Sequence, residues 1–307
     1  MIRTSCAICG DQSSDTEVYS AALTDDSGTF GRFSARRNPD RVHFRIVQCR
    51  KCTLLRSDPI FADEELARLY GGSSVTYRDE AQYAGDTYVD YMRRVLPLLP
   101  QRERLLEIGC GHGFFLERAL ALGFDEVLGV EPSREAVEIA SPLVRHRIRT
   151  GVFSDGLFEP GSFDVVCAFQ VFDHLPNPNE VLDACRRVLR PGGLALFINH
   201  DASAWTNRLL GERSPIIDIQ HIYLYNRQTM RRIFLKHQFE VLDVFPVRNR
   251  YPIYYWCHLS PLPSVLKRRL VSVLRASRVG RCSLAWQAGN LGLLARASYS
   301  EGISGSV

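Results

Sequence analysis

Two sets of residues in this 307-residue chain have the types and spacing to do chemistry. The first is four cysteines in two tight pairs, Cys6/Cys9 in CAIC and Cys49/Cys52 in CRKC. Two Cys-x-x-Cys turns supplying four thiolates form the tetrahedral zinc-ribbon arrangement. With all four positions closed, such a zinc would be structural. The competing assignments are a redox dithiol pair or four unrelated core cysteines. The second set lies in LLEIGCGHGFFLERAL, residues 105–120, where Glu107, Gly109, Gly111 and Gly113 alternate and a helical pattern begins at once. Glycines there let backbone approach a ligand closely, and the helix start offers unpaired N–H groups. The next apolar run, EVLGVE, ends in Glu131. An acid at the end of the second strand is the ribose-hydroxyl acceptor of nucleoside-binding α/β folds. A dinucleotide dehydrogenase and an S-adenosylmethionine (SAM) methyltransferase both fit, but the spacing is G-x-G-x-G, not the dinucleotide G-x-G-x-x-G.

Positioning these residues requires a scaffold, and the chain divides into three segments. Residues 1–58 hold the cysteine pairs among turn-rich polar stretches and have too few large apolar residues for a core of their own. A structural zinc, worth roughly 10–16 kcal/mol in such modules, would supply the missing stability. Residues 59–100 form a helical linker or lid, with Asp63 as N-cap, Glu64 and Glu65 in the first turn, and Tyr77, Tyr83, Tyr88 and Tyr91 as packing residues. From 101 onward RLLEIG, EVLGVE, FDVVCAF and LALFIN read as strands, alternating with the helical GFFLERALALG, REAVEIA and NEVLDACRRVLR. That alternation predicts an α/β domain with a parallel, doubly wound sheet over 101–307, with a substrate-side insertion near 200–288. FEVLDVF continues the strands, and GNLGLLARA is a last short one; the tail SYSEGISGSV is expected to fray.

The composition is that of a globular protein: 45% hydrophobic, 23% charged, net charge +4. A balance so mild counts against a nucleic-acid binder. The other five cysteines (Cys110, Cys167, Cys185, Cys257, Cys282) are scattered singly, which does not suit a disulfide framework. The start, MIRTSCAICGDQ, lacks an apolar secretory core, and no run reaches the ~18 apolar residues of a membrane span. A cytoplasmic, reducing location is expected.

The ordered set of the glycine loop, Glu131, Phe163-Asp164-Val165-Val166, FQVFDHLPNP (169–178) and Val188-Leu-Arg-Pro-Gly-Gly193 resembles class I SAM-dependent methyltransferases. Such enzymes have a seven-stranded Rossmann-like sheet whose last strand, here near Leu291–Arg296, is antiparallel. The N-terminus is similar to the subgroup bearing a zinc module, through Cys6–Gly10, CRKCTLLRSDP and EELARLY, although Thr53 stands where that pattern has glycine. By this resemblance Glu107, Gly109, Gly111 and Gly113 would line the methionine half of SAM, and Glu131 would accept both ribose hydroxyls. Phe153 would pack on the adenine and Asp155 would lie near its amine. Ala168 to Gln170 would border the sulfonium, and Tyr77 joins the cofactor set. Relatives with the zinc module often methylate an oxygen or carbon of a sugar or natural product, so a sugar-like small molecule is the expected acceptor.

Methyl transfer needs mainly alignment, and an oxygen or carbon nucleophile gains from a base. His174, His200 and His221 follow predicted strands or lie beyond the fifth. His221, in DIQHIYLYNRQTM, resembles the H-x-x-x-[FY] segment that small-molecule methyltransferases place over the site, and His174 is the second catalytic candidate. In ubiquinone-biosynthesis O-methyltransferases the segment around 170–174 carries more acids and is linked to a divalent cation. Gln170 replaces one of those acids here, which counts against a second metal. In LSPLPSVLKRRLVSVLRASRVGR, Leu266, Leu270, Val273 and Leu274 share one helical face, with Lys267, Arg268, Arg269, Arg275, Arg278 and Arg281 on the rest. The favoured expectation is a core-facing helix; the alternative is peripheral contact of residues 262–281 with membrane or a lipid-linked glycan. Two further function classes stay open: an RNA methyltransferase gripping nucleic acid with its ribbon, and an inactive zinc-ribbon binding module.

Overall fold

Consecutive residues of a strand point to opposite faces, so an unbroken apolar run must be covered on both. FDVVCAF is such a run, and in the computed structural model of the chain it is buried along its whole length. The structure describes residues 1–34, 40–76, 78–260 and 264–298. Tyr77 and the tail beyond Ser298 lie outside them. In chain order the strands and α-helices are β1 (Asp15–Tyr19), β2 (Ile46–Cys49), β3 (Leu55–Ser57), α1 (Asp63–Gly71), α2 (Arg78–Val95), β4 (Arg104–Ile108), α3 (Phe114–Ala121), β5 (Glu126–Glu131), α4 (Arg134–Glu138), α5 (Pro142–Arg145) and β6 (Ile148–Thr150). There follow β7 (Phe163–Phe169), α6 (Pro178–Val188), β8 (Leu189–His200), α7 (Trp205–Leu210), β9 (Tyr223–Leu224), α8 (Arg227–Lys236), β10 (Phe239–Pro252), α9 (Ile253–Leu259), α10 (Ser264–Ala276) and β11 (Ser283–Ala297).

The large sheet has seven strands in the order β10-β11-β8-β7-β4-β5-β6. The strands from β6 to β8 run parallel, and β11 lies antiparallel between β8 and β10. The order reverses beside β4, so the loops after β4 and β7 flank a switch point, where α/β sheets bind ligands. Alternate residues of each strand feed opposite cores. Leu106, Val166, Ala195 and Phe197 join one with α6 and α8. Leu105, Val165, Leu194 and Leu196 join the other with α2 and α3. The terminal strand is longer than the short one expected, with fifteen residues.

The N-terminal segment folds on the first of these cores. Phe33, Phe44, Leu54 and Ile60 share it with Phe172, Ile219 and Tyr225, so residues on both sides of position 58 belong to one apolar mass. Its sheet, β1-β2-β3-β9, takes its last strand from residues 223–224. Its interior also buries charged residues. Arg56 is fully buried, pairs with Asp15 and donates to Thr4 Oγ1 at 3.1 Å. Asp58, also fully buried, accepts from Thr4 N–H at 2.8 Å and from Arg45 at 2.9 Å. A buried arginine or aspartate is tolerable only with such partners.

Two local expectations are corrected. Asp63 is the first helical residue of α1 and Ala62 its N-cap; the helix starts one residue earlier and still gains from three first-turn carboxylates. Helix α10 does not bury the Leu266/Leu270/Val273 row. Leu274 packs on the tyrosine cluster Tyr251, Tyr254 and Tyr255. Leu266 and Val273 are 54% and 67% exposed, and Leu270 is exposed as well. Period tells which residues share a face; it does not say whether anything covers that face. Among the described residues no helix is long and apolar enough to cross a membrane.

Candidate active site and cysteine cluster

The carboxyl ends of β4 and β5 bring the glycine loop against two acids. Gly109, Gly111 and Gly113 all have positive φ, at 68°, 55° and 77°. At Gly109 a Cβ would fall 2.3 Å from the Val171 side chain, so the loop after β7 closes on this one only because a hydrogen stands there. Gly113 is the N-cap of α3. Glu131 ends β5; its carboxylate accepts from Gly111 N–H at 2.8 Å and Ser133 N–H at 2.9 Å. Burial raises its pKa, and those two N–H groups work against the rise. Glu107 is 1% exposed and pushed well above the usual carboxylate range, first by burial and then by Glu131. Its Oε2 is buried without a hydrogen-bond partner among the described residues.

Beyond β7 the backbone turns sharply. Gln170 has φ of 59°, a left-handed conformation for a non-glycine residue, while its N–H donates to Ile198 O at 2.6 Å. Its Oε1 is buried and unpartnered among the described residues. Strained backbone of this kind collects at functional sites. The turn delivers Asp173 and His174, the end of β8 delivers His200, and the loop before β9 delivers His221. Asp173 Oδ2 lies 2.7 Å from His200 Nδ1, and its Oδ1 lies 3.6 Å from His174 Nε2. The His221 ring is 4.7 Å from both other imidazoles, edge to face. Tyr70, from α1, meets His174 Nδ1 at 3.1 Å.

Burial and partners set the charges in this cluster. Burial alone would raise Asp173, but His174, His200 and His221 outweigh it and hold the carboxyl well below its usual range. His221 is driven well below the ordinary histidine value, first by burial and then by His200 and His174. His174 is lowered chiefly by burial. His221 is therefore neutral near pH 7, and its Nδ1 is buried with no partner among the described residues. Asp173, His200 and His221 also offer ligand atoms within 4.8 Å of one another, a spacing a divalent cation can use.

At the N-terminal sheet the sulfur atoms of Cys6, Cys9, Cys49 and Cys52 all lie within 4.8 Å of one another, with Cys9 and Cys49 at 3.7 Å. A tetrahedral site with Zn–S bonds of about 2.3 Å needs sulfurs about 3.8 Å apart. Each knuckle closes alike, Gly10 N–H donating to Cys6 O and Thr53 N–H to Cys49 O, both at 2.8 Å. Helix α8 packs over them, with Arg232 donating to Cys52 Sγ at 3.6 Å and Lys236 to Ala7 O at 2.8 Å. Burial pushes the Cys6 thiol up to about 12, so a metal here must displace protons as it binds.

The other expected residues divide. Phe153 is buried in the core that also holds Ile108 and Val130. The Asp155 carboxylate pairs with Arg187, near the end of α6, and lines a shallow groove with Pro160, Asp183 and Pro191. Tyr77 lies outside the described residues. Sequence reasoning named His200 without a role and passed over Asp173 and Tyr70 as site members. The signal available for Asp173 was its place next to His174; for Tyr70, 104 residues from its partner, there was none.

A family profile described as a methyltransferase domain matches residues 78–244. The chain belongs to this methyltransferase-domain family. Within the family it is 32% identical over 120 residues to a ubiquinone biosynthesis O-methyltransferase of Paraburkholderia phymatum, covering 36% of this chain and 50% of that protein. It is 31% identical over 134 residues to the protein of that name in Ralstonia nicotianae, covering 40% and 54%. The chain thus spans about half the length of the curated relatives it matches. Among solved structures, a geranyl diphosphate C-methyltransferase from Streptomyces coelicolor aligns with a TM-score of 0.46 and 14% identity, covering 68% of this chain and 76% of that one.

Thr53 tests the knuckle geometry. Its φ of 61° is costly for a β-branched residue and equals the turn that Gly10 makes at 74°. Thr53→Gly should raise unfolding free energy by about 1 kcal/mol, net of glycine's extra freedom in the unfolded chain. Chemical denaturation with an unchanged slope measures it, and a loss of stability would refute the strain.

Proposed function

We propose that the chain transfers the methyl group of SAM to a hydroxyl oxygen of a small molecule, with His221 as the base. The observation that carries this reading is the neutral, buried His221 with an unpartnered Nδ1, set beside the switch point occupied by the glycine loop. SAM, when bound, brings a methyl already activated on a sulfonium. The residues present fit it. Gly109 and Gly111 leave room for close approach, the orphaned Glu107 Oε2 suits the amino-acid ammonium, and Glu131 retains acceptor capacity for two ribose hydroxyls. Phe153 and Gln170 complete the cofactor set on the strength of the sequence resemblance.

The chain's own part in the reaction is positioning and proton transfer. With SAM bound, the chain would hold the acceptor hydroxyl beside His221, which would take its proton. The anionic Asp173, reached through His200 and His174, stabilises the imidazolium that forms. Tyr70 orients His174. Hydroxyl rather than carbon as nucleophile is supported by the printed names of the curated relatives. A sugar-like acceptor rests on the likeness of the zinc module alone. The four cysteines hold a structural zinc in this reading, the zinc segment and the methyltransferase domain act as one unit, and a cytoplasmic location goes with reduced thiols. A second reading is a divalent cation on Asp173, His200 and His221; it would turn His221 from base to ligand.

Calorimetry with S-adenosylhomocysteine should show binding that Glu131→Ala weakens on the order of a hundredfold, from lost charge-assisted hydrogen bonds; no binding by the parent chain would sink the proposal. Metal analysis should find one zinc per chain, absent from Cys49→Ser, and a further divalent equivalent lost in His200→Ala would favour the second reading. With a catechol as trial acceptor, the acid limb of kcat/KM should fall below the ordinary histidine value of about 6.5, because burial favours the neutral ring. His221→Ala should lose at least about a hundredfold in kcat and this limb with it; retained activity removes it as base.

A further inference from the structure

The chain's charge is segregated. Between Asp243 and Glu301 there is no acidic residue, while Arg248, Arg250, Lys267, Arg268, Arg269, Arg275, Arg278, Arg281 and Arg296 contribute nine cations. With 38 Lys+Arg and 34 Asp+Glu overall, the rest of the chain is left five charges negative. Most of those cations sit on a lobe that departs from the sheet. β11 pairs with β8 only over Asn290–Arg296, whereas its earlier part pairs with β10 alone, from Ser283↔Pro252 to Trp286↔Asn249. A two-stranded ribbon therefore runs past the sheet, with α9 and α10 inserted between its strands. Because Asn290 pairs with His200, the ribbon leaves the sheet at the end that carries the imidazole cluster.

This lobe exposes apolar as well as basic side chains. Leu266, Leu270 and Val273 follow i, i+4, i+7 spacing on α10 and form one exposed row. Val279, Leu284 and Trp286 are exposed on the adjoining turn and ribbon, with Trp286 edge to face on Trp256 at 5.6 Å. Helix α7, against which Gly289 of the ribbon packs, adds exposed Trp205 and Leu209. Phosphate-binding surfaces need cations and have no use for an open leucine–valine row. A surface helix with an apolar stripe, flanking arginines and nearby tryptophans has the composition of interfacial membrane helices.

We propose that the α9–α10 lobe docks on a bilayer bearing anionic headgroups, the apolar row entering the interface and Lys267 and Arg269, on either side of it, meeting the lipid phosphates while Arg268 adds its charge from the far face. Docking sets the catalytic end of the sheet against the membrane, so that an acceptor with a lipid tail reaches the imidazole cluster from the bilayer side. The docking itself does not depend on the assignment of methyl transfer.

The test is co-sedimentation of the full chain with vesicles of pure phosphatidylcholine and with vesicles containing roughly one-third phosphatidylglycerol. Binding is expected to the anionic vesicles and to fall steeply with salt. At roughly fivefold per cation, Lys267→Gln/Arg268→Gln/Arg269→Gln should lose on the order of a hundredfold. Leu270→Asn/Val273→Asn should lose at least about tenfold while keeping all the cations; thermal unfolding checks that both variants fold. Equal affinity for neutral vesicles, or none for either kind, overturns the proposal. So does unchanged binding of the Leu270/Val273 variant together with equally tight binding of a short RNA hairpin, which would make the lobe a polyanion site. Sedimentation velocity showing a dimer that the Leu270/Val273 variant dissolves would assign the row to a second copy instead.

Discussion

The pairing of β3 with β9 is the contact on which the arrangement of the site depends. Leu55 lies opposite Leu224 and Arg56 opposite Tyr223, joining the cysteine-bearing segment to a loop more than 160 residues later. Ser57 then fixes that loop twice, its Oγ donating to His221 O at 2.8 Å and its N–H to Ile222 O at 2.8 Å. Ile222 N–H in turn donates to Asp173 O at 2.8 Å. The position of His221 thus follows from β3, and β3 follows from the turn that Cys49 and Cys52 close. In the reading proposed above, a metal among the four thiolates would bear on the site without touching substrate, by stiffening the strand that holds His221. The fully buried Arg56 within this strand and Asp58 just beyond it have paired charges that pin its register where apolar packing would tolerate a slip.

The same burial gives opposite results at the two halves of the cleft. Among the described residues no cationic side chain offsets the burial of Glu107 or Glu131, so burial raises both, and backbone N–H groups hold Glu131 toward its ionised form. Asp173 is as deeply buried, yet three imidazoles hold its carboxyl low. Asp173 is therefore held toward its anionic form, whereas Glu107 is held toward its neutral form. In the proposed reading this divergence would divide acid–base chemistry from ligand recognition.

What was legible in the sequence was whatever local spacing encodes. The glycine loop, Glu131 at the end of β5, the strand runs from 104 to 200 and the two cysteine turns need only short-range pattern, and each stands where that pattern puts it. What was illegible depends on long-range pairing. Nothing in residues 1–58 announces that their sheet takes its last strand from Tyr223–Leu224, or that Tyr70 meets His174. Asp155 shows the same limit: nothing in the turn after β6 announces that Arg187, from another helix, pairs with it. Helix α10 is misread for another reason. An apolar row predicts burial only where there is a neighbour to bury it, and the ribbon carries this helix past the last one.

These features bear on one another through the end of the sheet they share. His200 is the last residue of β8 and pairs with Asn290 of β11, and the hydrogen bonds of β11 beyond that point belong to the ribbon alone. The strand paired beside one imidazole is thus continuous with the lobe that carries the exposed apolar row. His221 is set from the opposite side, through β3 and the cysteine turn. The carboxylate–imidazole cluster sits where these two supports meet, with Asp173 bonded to His200 on one and, through Ile222, to the other. A ligand that orders the lobe and a metal that orders the cysteine turn would therefore reach the same cluster by different routes. Because both routes end in one hydrogen-bonded group, their effects on the site should couple rather than add.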